Sequence, residues 1–156
     1  MAAELGAKAP DFTLPNQDRE AVTLSEAVKK GPVVLAFVPA AFSGTCTKEL
    51  CTFRDSMADL NKVNAQVLGI SVDTFFALKA WQDAQQLNFP LLSDFNKTAI
   101  RDYGVFNEDM IGLKGIAKRA VFVIDRTGVV RHREVLDDAR NEPDYRKVNE
   151  ALNALR

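Results

Sequence analysis

The chain has 156 residues, 47% of them hydrophobic, which is enough for one domain with a substantial core. Its 20 Lys and Arg residues and 21 Asp and Glu residues give a net charge of -1, so it lacks the excess positive charge that attracts nucleic acid or an anionic membrane. We therefore expect a single domain over residues 1–156 that binds neither nucleic acid nor a membrane.

The N-terminal segment and the cysteine content both indicate a cytoplasmic protein. The first ten residues include Glu4 and Lys8 and contain no apolar run typical of a signal peptide. The two cysteines are too few for a disulfide framework, and the cytosol keeps ordinary cysteine pairs reduced. A bond between them is therefore expected to be transient and chemical in purpose.

The first half of the chain predicts a hairpin, a strand and a helix. The apolar triplets 12–14 and 22–24 flank the polar stretch PNQDRE, which is typical of a short edge hairpin. Residues 33–38 form a continuous apolar run, as expected for a strand buried on both faces. From about residue 45 to residue 60, apolar residues recur at spacings of three and four, which predicts a helix.

The second half of the chain also predicts strands and helices in alternation. In order, it predicts a buried strand at 67–72, helices near 75–87 and 96–103 with a break at 88–90, a hairpin of strands 120–124 and 129–134, and a final helix from about Pro143 to Leu155. This order of elements is typical of an α/β domain with the thioredoxin-like fold, in which helices flank a central mixed sheet, here with an N-terminal hairpin. Order alone does not fix the pairing of the strands.

Cys46 lies in the first turn of the predicted helix that follows the strand at 33–38. Backbone N–H groups in a first helical turn have no partner within the helix, and the positive end of the helix dipole stabilises negative charge on a nearby sulfur. The same N–H groups can donate to an electron-rich atom that approaches the sulfur. Cys46 is therefore the candidate nucleophile.

Cys51 lies five residues after Cys46, a spacing that a regular helix cannot close with a disulfide. The two Cα atoms would be about 140° apart around the helix axis and about 8.6 Å apart in space. A disulfide needs Cα atoms no more than about 6.8 Å apart, so a bond requires this turn to unfold locally.

Other interpretations of the two cysteines remain open at this point. Cys51 follows the apolar Leu50 and could be a small core residue. A zinc site needs four ligands, and the two cysteines with the distant His132 supply too few. The spacing is also not the C-x-x-C of a thioredoxin-type exchange motif.

The sequence around Cys46 resembles the active-site signature of peroxiredoxins. Pro39-x-x-x-Ser43-x-x-Cys46 is similar to the family's Pro-x-x-x-Thr/Ser-x-x-Cys. Segments 8–14, 89–94 and 119–125 also resemble family segments, so the resemblance covers nearly the whole chain. A second cysteine five positions on is typical of the bacterioferritin-comigratory, or Q-type, branch, whereas residues 103–108 also resemble the one-cysteine AhpE-like branch.

The resemblance implies a thiol-dependent peroxidase that uses no metal, haem or flavin. Cys46 would attack hydrogen peroxide or an organic hydroperoxide and become a sulfenic acid. Arg119, the Ser43 hydroxyl and the Cys46 backbone N–H would donate to the peroxide oxygens, and Pro39 would shield the sulfur from water. Without the resemblance, Arg119 would be interpreted as a surface charge, and Glu49 as a residue that complements the helix N-terminus.

The resemblance also implies how the oxidised enzyme is recycled. Cys51 would condense with the sulfenic acid on Cys46, and thioredoxin or a similar dithiol would reduce the resulting disulfide, in a role of antioxidant defence. We expect a monomer rather than a homodimer, because Q-type relatives are often monomeric.

Overall fold

The structure is a computed structural model that describes residues 3–155. Its strands are β1 (Thr13–Pro15), β2 (Ala21–Thr23), β3 (Val33–Phe37), β4 (Gln66–Ser71), β5 (Leu91–Ser93), β6 (Phe106–Asn107), β7 (Ile116–Ala117), β8 (Arg119–Ile124) and β9 (Val130–Leu136). Its α-helices are α1 (Leu24–Ala27), α2 (Gly44–Lys62), α3 (Phe75–Gln85), α4 (Thr98–Asp102) and α5 (Tyr145–Asn153). Within this part of the chain, every helix is too short or too polar to cross a membrane.

A five-stranded mixed sheet with the order β5-β4-β3-β8-β9 forms the centre of the fold. β3 pairs in parallel with β4 and antiparallel with β8, so both of its edges are covered. All five residues of β3 are buried, in agreement with its continuous apolar sequence. The N-terminal hairpin of β1 and β2 forms a small sheet of its own and contacts the β5 edge through the bridge between Asn16 and Leu92.

Successive residues of β3 point to opposite faces of the sheet and enter two separate cores. Leu35 and Phe37 pack with the N-terminal segment and α4, whereas Val34 and Ala36 pack with α2, α3 and α5. This arrangement confirms the predicted thioredoxin-like fold, with helices on both faces of a mixed sheet. The second core contains Cys46 and therefore supports the candidate site.

The structure also contains elements that the sequence did not predict. These are the short helix α1, the buried edge strand β5 and the two-residue strands β6 and β7, each too short to show a periodic pattern. The last helix begins at Tyr145 rather than near Pro143, because the Asp144 side chain caps it by accepting from the backbone N–H groups of Arg146 and Lys147.

Gly31 joins the end of the first helical segment to β3 and offers a test of the packing. A Cβ atom at this position would collide with the backbone carbonyl oxygen of Asn64, which follows α2. We predict that Gly31→Ala lowers the free energy of unfolding by about 3 kcal/mol. Gly6→Ala, a matched control with positive φ but no atom within 4 Å of the added methyl, should cost only about 1 kcal/mol. Urea denaturation measures both values, and equal losses would contradict this account.

Candidate active site

The loop between β3 and α2 brings Cys46 to the edge of the sheet. β3 ends at Phe37, and α2 begins at Gly44 with Ser43 as its N-terminal cap. The Ser43 side chain does not cap the helix, so no side-chain oxygen occupies the first-turn N–H groups. Cys46 has no exposed surface and sits in this first turn. Its sulfur therefore lies where the helix dipole stabilises negative charge.

Arg119, the first residue of β8, is the charged group that contacts the sulfur. Its Nη2 atom lies 3.3 Å from Cys46 Sγ. Nε and Nη2 also donate to the Ala139 carbonyl oxygen at 3.0 and 2.8 Å, which fixes the plane of the guanidinium. Only 2% of the Arg119 side chain is exposed, so water screens its charge little. The structure thus brings the predicted nucleophile and the predicted cation into direct contact.

Glu49 is a further buried ionisable group at the site, and the sequence analysis did not include it among the site residues. It is completely buried, and its Oε1 lies 3.6 Å from Arg119 Nη1, too far for a strong hydrogen bond. Burial raises the pKa of Glu49 to about 8, although the nearby Arg119 acts in the opposite direction. Glu49 is therefore mostly neutral at pH 7, which leaves the Arg119 charge available to the sulfur. The sequence did contain one indication of this position: Glu49 lies three residues after Cys46, and residues at that spacing are neighbours on a helix.

The Ser43 hydroxyl is oriented differently from the expectation. Its Oγ donates its only hydrogen to the Ala40 carbonyl oxygen at 2.9 Å. In this arrangement the Oγ lone pairs remain available to accept a hydrogen bond. Pro39, four residues earlier in the chain, is buried at the same loop and has no N–H group.

A carboxylate at the end of β4 holds this loop in place and was not predicted. The Ala41 N–H and the Ser71 hydroxyl both donate to Asp73 Oδ2 at 2.7 Å. Phe42, which follows Ala41 in the loop, has a φ of 67°, an unfavourable backbone conformation for a residue with a bulky side chain. Asp73 therefore positions a strained loop between Pro39 and Ser43.

An open cleft of about 580 Å³ leads to the site. Its lining comprises Pro39, Ser43, Gly44, Thr45, Met110, Ile111, Arg119, Asp137, Asp138, Ala139 and Arg140. Ile111 is 89% exposed and sits in a tight turn closed by two backbone hydrogen bonds between Met110 and Leu113. The cleft thus combines an apolar rim with the Arg119 guanidinium in its wall.

Cys51 lies on the same helix as Cys46 but points to a different neighbour. It is half-buried against the second core, and its Sγ donates to Gln85 Oε1 at the end of α3, 3.6 Å away. Both thiols are free, and α2 is regular from Gly44 to Lys62. The geometric barrier to a disulfide therefore exists in this structure.

His132, which the sequence analysis considered as a zinc ligand together with the two cysteines, lies in β9 opposite Val123. Partial burial lowers its pKa, in opposition to the nearby Glu134. Among residues 3–155, no group of three or more His, Cys, Asp and Glu side chains is arranged to hold a metal ion.

The family follows from a comparison with known proteins. Residues 5–133 match the model of the AhpC/TSA family. The chain belongs to the AhpC/TSA family. This match covers the loop, Cys46, Cys51 and Arg119, whereas the cleft residues 137–140, including Ala139, lie beyond it.

Several peroxiredoxins resemble the chain over most of its length. Alkyl hydroperoxide reductase E of Mycobacterium tuberculosis is 39% identical over 97% of both chains. A putative peroxiredoxin bcp of Coxiella burnetii is 41% identical over 83% of this chain and 87% of the relative. The crystal structure of peroxidoxin BcpB from Mycobacterium tuberculosis has a TM-score of 0.88 and 34% identity over 98% of both chains.

These similarities confirm the predicted family and activity class. The protein is a peroxiredoxin, a thiol-dependent peroxidase of the oxidoreductase class. The similarity to bcp and BcpB supports the bacterioferritin-comigratory branch. The similarity to alkyl hydroperoxide reductase E leaves the AhpE-like branch as the alternative.

Glu49 predicts a pH dependence that can be measured on the reduced protein. Its pKa is raised from 4.5 to about 8, so the folded protein retains a proton that the unfolded chain releases. The free energy of unfolding should therefore fall as pH rises from about 4.5 to about 8. Glu49→Gln stays neutral and should escape this loss, so its stability relative to wild type should rise by on the order of 3 kcal/mol across that range.

Urea denaturation between about pH 5 and about pH 8.5 tests this relation. The exposed Glu20→Gln is the matched control and should follow wild type. If Glu49→Gln also ran parallel to wild type, Glu49 would be ionised throughout and the assignment of a neutral carboxyl would be wrong.

Proposed function

We propose that Cys46 is the peroxide-reducing nucleophile and that Arg119 stabilises both its thiolate and the transition state. The carrying observation is the buried contact of 3.3 Å between Arg119 Nη2 and Cys46 Sγ at the N-terminus of α2. A permanent cation that is shielded from water interacts strongly with a negatively charged sulfur.

The chemistry follows from where charge moves. The sulfur attacks one peroxide oxygen, the O–O bond breaks, and negative charge develops on the leaving oxygen, which takes a proton from solvent to become water or an alcohol. Arg119 and the Cys46 backbone N–H donate to the peroxide oxygens as charge develops. Ser43 Oγ accepts the hydrogen of the peroxide O–H, because its own hydrogen is bonded to Ala40.

Pro39 has a supporting role in this proposal. It is buried beside the loop and lines the cleft, so it keeps water from the sulfur on that side. Its missing N–H group leaves no competing donor at this place.

Cys51 is proposed to resolve the sulfenic acid. The Cys51 thiol attacks the Cys46 sulfenic sulfur, the S–S bond forms, the S–O bond breaks, and the hydroxyl leaves as water with the thiol proton. The sulfenic sulfur is reduced and the Cys51 sulfur is oxidised. A thioredoxin-type dithiol then reduces the disulfide by exchange and releases both thiols.

The cleft supports organic hydroperoxides as substrates in addition to hydrogen peroxide. Its volume of about 580 Å³ far exceeds what hydrogen peroxide requires, and Pro39, Met110 and Ile111 give it an apolar rim. One similar protein is named an alkyl hydroperoxide reductase. An alkyl group can therefore cover the exposed Ile111 side chain while the peroxide oxygens face Arg119.

Three further expectations remain predictions of the sequence. These are a cytoplasmic location, a single domain and a monomeric state. Phe42, Phe76 and Phe95 are each more than half exposed. Because exposed apolar side chains can mark a surface that binds a second copy, sedimentation of the reduced protein is the direct test of the monomeric state.

Substitution of each cysteine separates the two chemical steps. We predict that Cys46→Ser abolishes peroxide turnover, because a serine hydroxyl is not ionised at neutral pH. Cys51→Ser should keep the first attack on peroxide but lose turnover supported by thioredoxin. Mass spectrometry after one equivalent of peroxide and a thioredoxin-coupled assay measure the two steps.

Each variant has a clear contrary outcome. Full peroxidase activity in Cys46→Ser would contradict the proposed mechanism. Unchanged thioredoxin-supported turnover in Cys51→Ser would make Cys51 a core residue and assign resolution to an external thiol. Insulin reduction by wild type without any peroxide consumption would indicate a thiol-disulfide oxidoreductase instead.

The proposed substrate contact predicts a selective effect at Ile111. Ile111 has a φ of 50°, which Asn tolerates well, so Ile111→Asn removes apolar surface without adding strain. We predict that kcat/KM for cumene hydroperoxide falls about fivefold, equivalent to about 1 kcal/mol, while the value for hydrogen peroxide is unchanged. Leu113→Asn, in the same turn but outside the cleft lining, is the matched control. Equal effects on both substrates would argue against an alkyl contact at this position.

A further inference from the structure

Two contacts join α2 to α3 across the same helical turn. Trp81 Nε1 donates to Thr47 Oγ1 at 3.2 Å, and Cys51 Sγ donates to Gln85 Oε1 at 3.6 Å. Thr47 and Cys51 are four residues apart on α2, and Trp81 and Gln85 are four residues apart on α3. Residues at this spacing share one face of a helix, so the contacts form two rungs between facing surfaces. We refer to these four residues as the α2–α3 ladder.

The ladder spans the segment that must change shape before the two sulfurs can meet. The Cys46–Cys51 bond requires the turn between the two cysteines to unfold, since about 8.6 Å separates their Cα atoms on a regular helix. Thr47 is the first residue inside this segment and Cys51 is its end. Opening the turn moves the Cys51 sulfur away from Gln85 and breaks the helical geometry that places Thr47 against Trp81.

We propose that Trp81 and Gln85 are positioning residues that set the rate at which the Cys46 sulfenic acid and Cys51 join. This inference rests on the proposed function, because it concerns the second step of that mechanism. The ladder stabilises the closed helix, in which Cys46 contacts Arg119 and can react with peroxide. It thereby delays the open state, in which the disulfide forms.

Two further contacts anchor the far end of the ladder. Arg54 Nη1 donates to the Gln85 backbone carbonyl oxygen at 2.6 Å, and the Asn88 side chain donates to the Arg54 carbonyl oxygen at 3.4 Å. These bonds join α2 to the C-terminal end of α3 one turn beyond Cys51. They keep the rest of α2 in place, so the opening is confined to the turn between the cysteines.

The rate of closure has a chemical consequence. While Cys46 remains a sulfenic acid, a second peroxide molecule can oxidise it to the sulfinic acid, with release of water. Disulfide formation competes with this reaction. A ladder that opens slowly therefore increases the fraction of Cys46 lost to sulfinic acid at high peroxide concentration.

The test measures the two steps separately in ladder variants. Thr47→Val removes the acceptor for Trp81, and Gln85→Met removes the acceptor for Cys51 at similar side-chain size. Gln82→Met is the matched control, because Gln82 lies on the same helix but donates to the Phe89 carbonyl oxygen rather than to α2. Rapid mixing with hydrogen peroxide, chemical quenching and mass spectrometry give the rate of Cys46 oxidation and the rate of disulfide formation. In wild type and Gln85→Met, the fluorescence of Trp81, the only tryptophan, follows the opening of the turn.

We expect Thr47→Val to form the disulfide about fivefold faster, equivalent to about 1 kcal/mol, a typical net value for one hydrogen bond, and Gln85→Met, which loses a weaker thiol contact, to form it about twofold faster. The second-order rate of Cys46 oxidation should stay unchanged, the sulfinic acid fraction should fall, and Gln82→Met should behave as wild type. Unchanged disulfide rates in both ladder variants would overturn the proposal. So would equal acceleration in Gln82→Met, because the cause would then be a general loss of stability.

Failure of the proposed function gives a different result. If wild type did not oxidise Cys46, or stopped at the sulfenic acid with Cys51 reduced, the two-cysteine mechanism itself would be wrong. If wild type formed the disulfide and the ladder variants did not change its rate, the mechanism would stand and only the role of the ladder would be rejected.

Discussion

The site depends on one buried positive charge. Removing a guanidinium from water costs several kcal/mol unless hydrogen bonds and an opposite charge compensate it. Arg119 has the Ala139 carbonyl oxygen as an acceptor and the Cys46 sulfur 3.3 Å from its Nη2 atom. Glu49 would be the obvious counterion, but its own burial keeps it mostly neutral. The guanidinium is therefore best compensated when the sulfur is a thiolate, so the fold and the reactive form of Cys46 stabilise each other.

Arg119 lies in the sheet and the two cysteines lie on a helix, and this placement fits the dependence of the site on the buried charge. Arg119 begins β8, which pairs with β3 and β9, and its neighbours in that strand are fully buried. The cation is thus held by a fully buried strand in the interior of the sheet. The cysteines lie on α2, whose first turn has no side-chain cap at its N-terminus. The proposed mechanism requires movement in this turn rather than in the sheet.

The sequence was most informative for secondary-structure elements that a single local residue pattern determines. The apolar run of β3 and the spacing of apolar residues in α2 predicted both elements and placed Cys46 in a first helical turn. Arg119 came only from the family resemblance, because an arginine at a strand end looks the same whether it is buried or exposed. Glu49 and Asp73 acquire their roles from burial and contacts that join distant segments. The direction of the Ser43 hydroxyl depends on where the loop brings the Ala40 carbonyl, which no pattern records.

Oxidation itself changes the balance between the closed and open helix. In the proposed mechanism, the closed turn is held by the ladder to α3 and by the attraction between Arg119 and the Cys46 thiolate. A neutral sulfenic acid has no net charge, so the second contribution weakens as soon as the peroxide has reacted. The ladder contacts are unaffected by that step, since neither Thr47 nor Cys51 has changed. The ladder therefore becomes the main barrier to opening at the stage when opening is needed, which is why small changes at Trp81 or Gln85 should act on disulfide formation and not on peroxide attack.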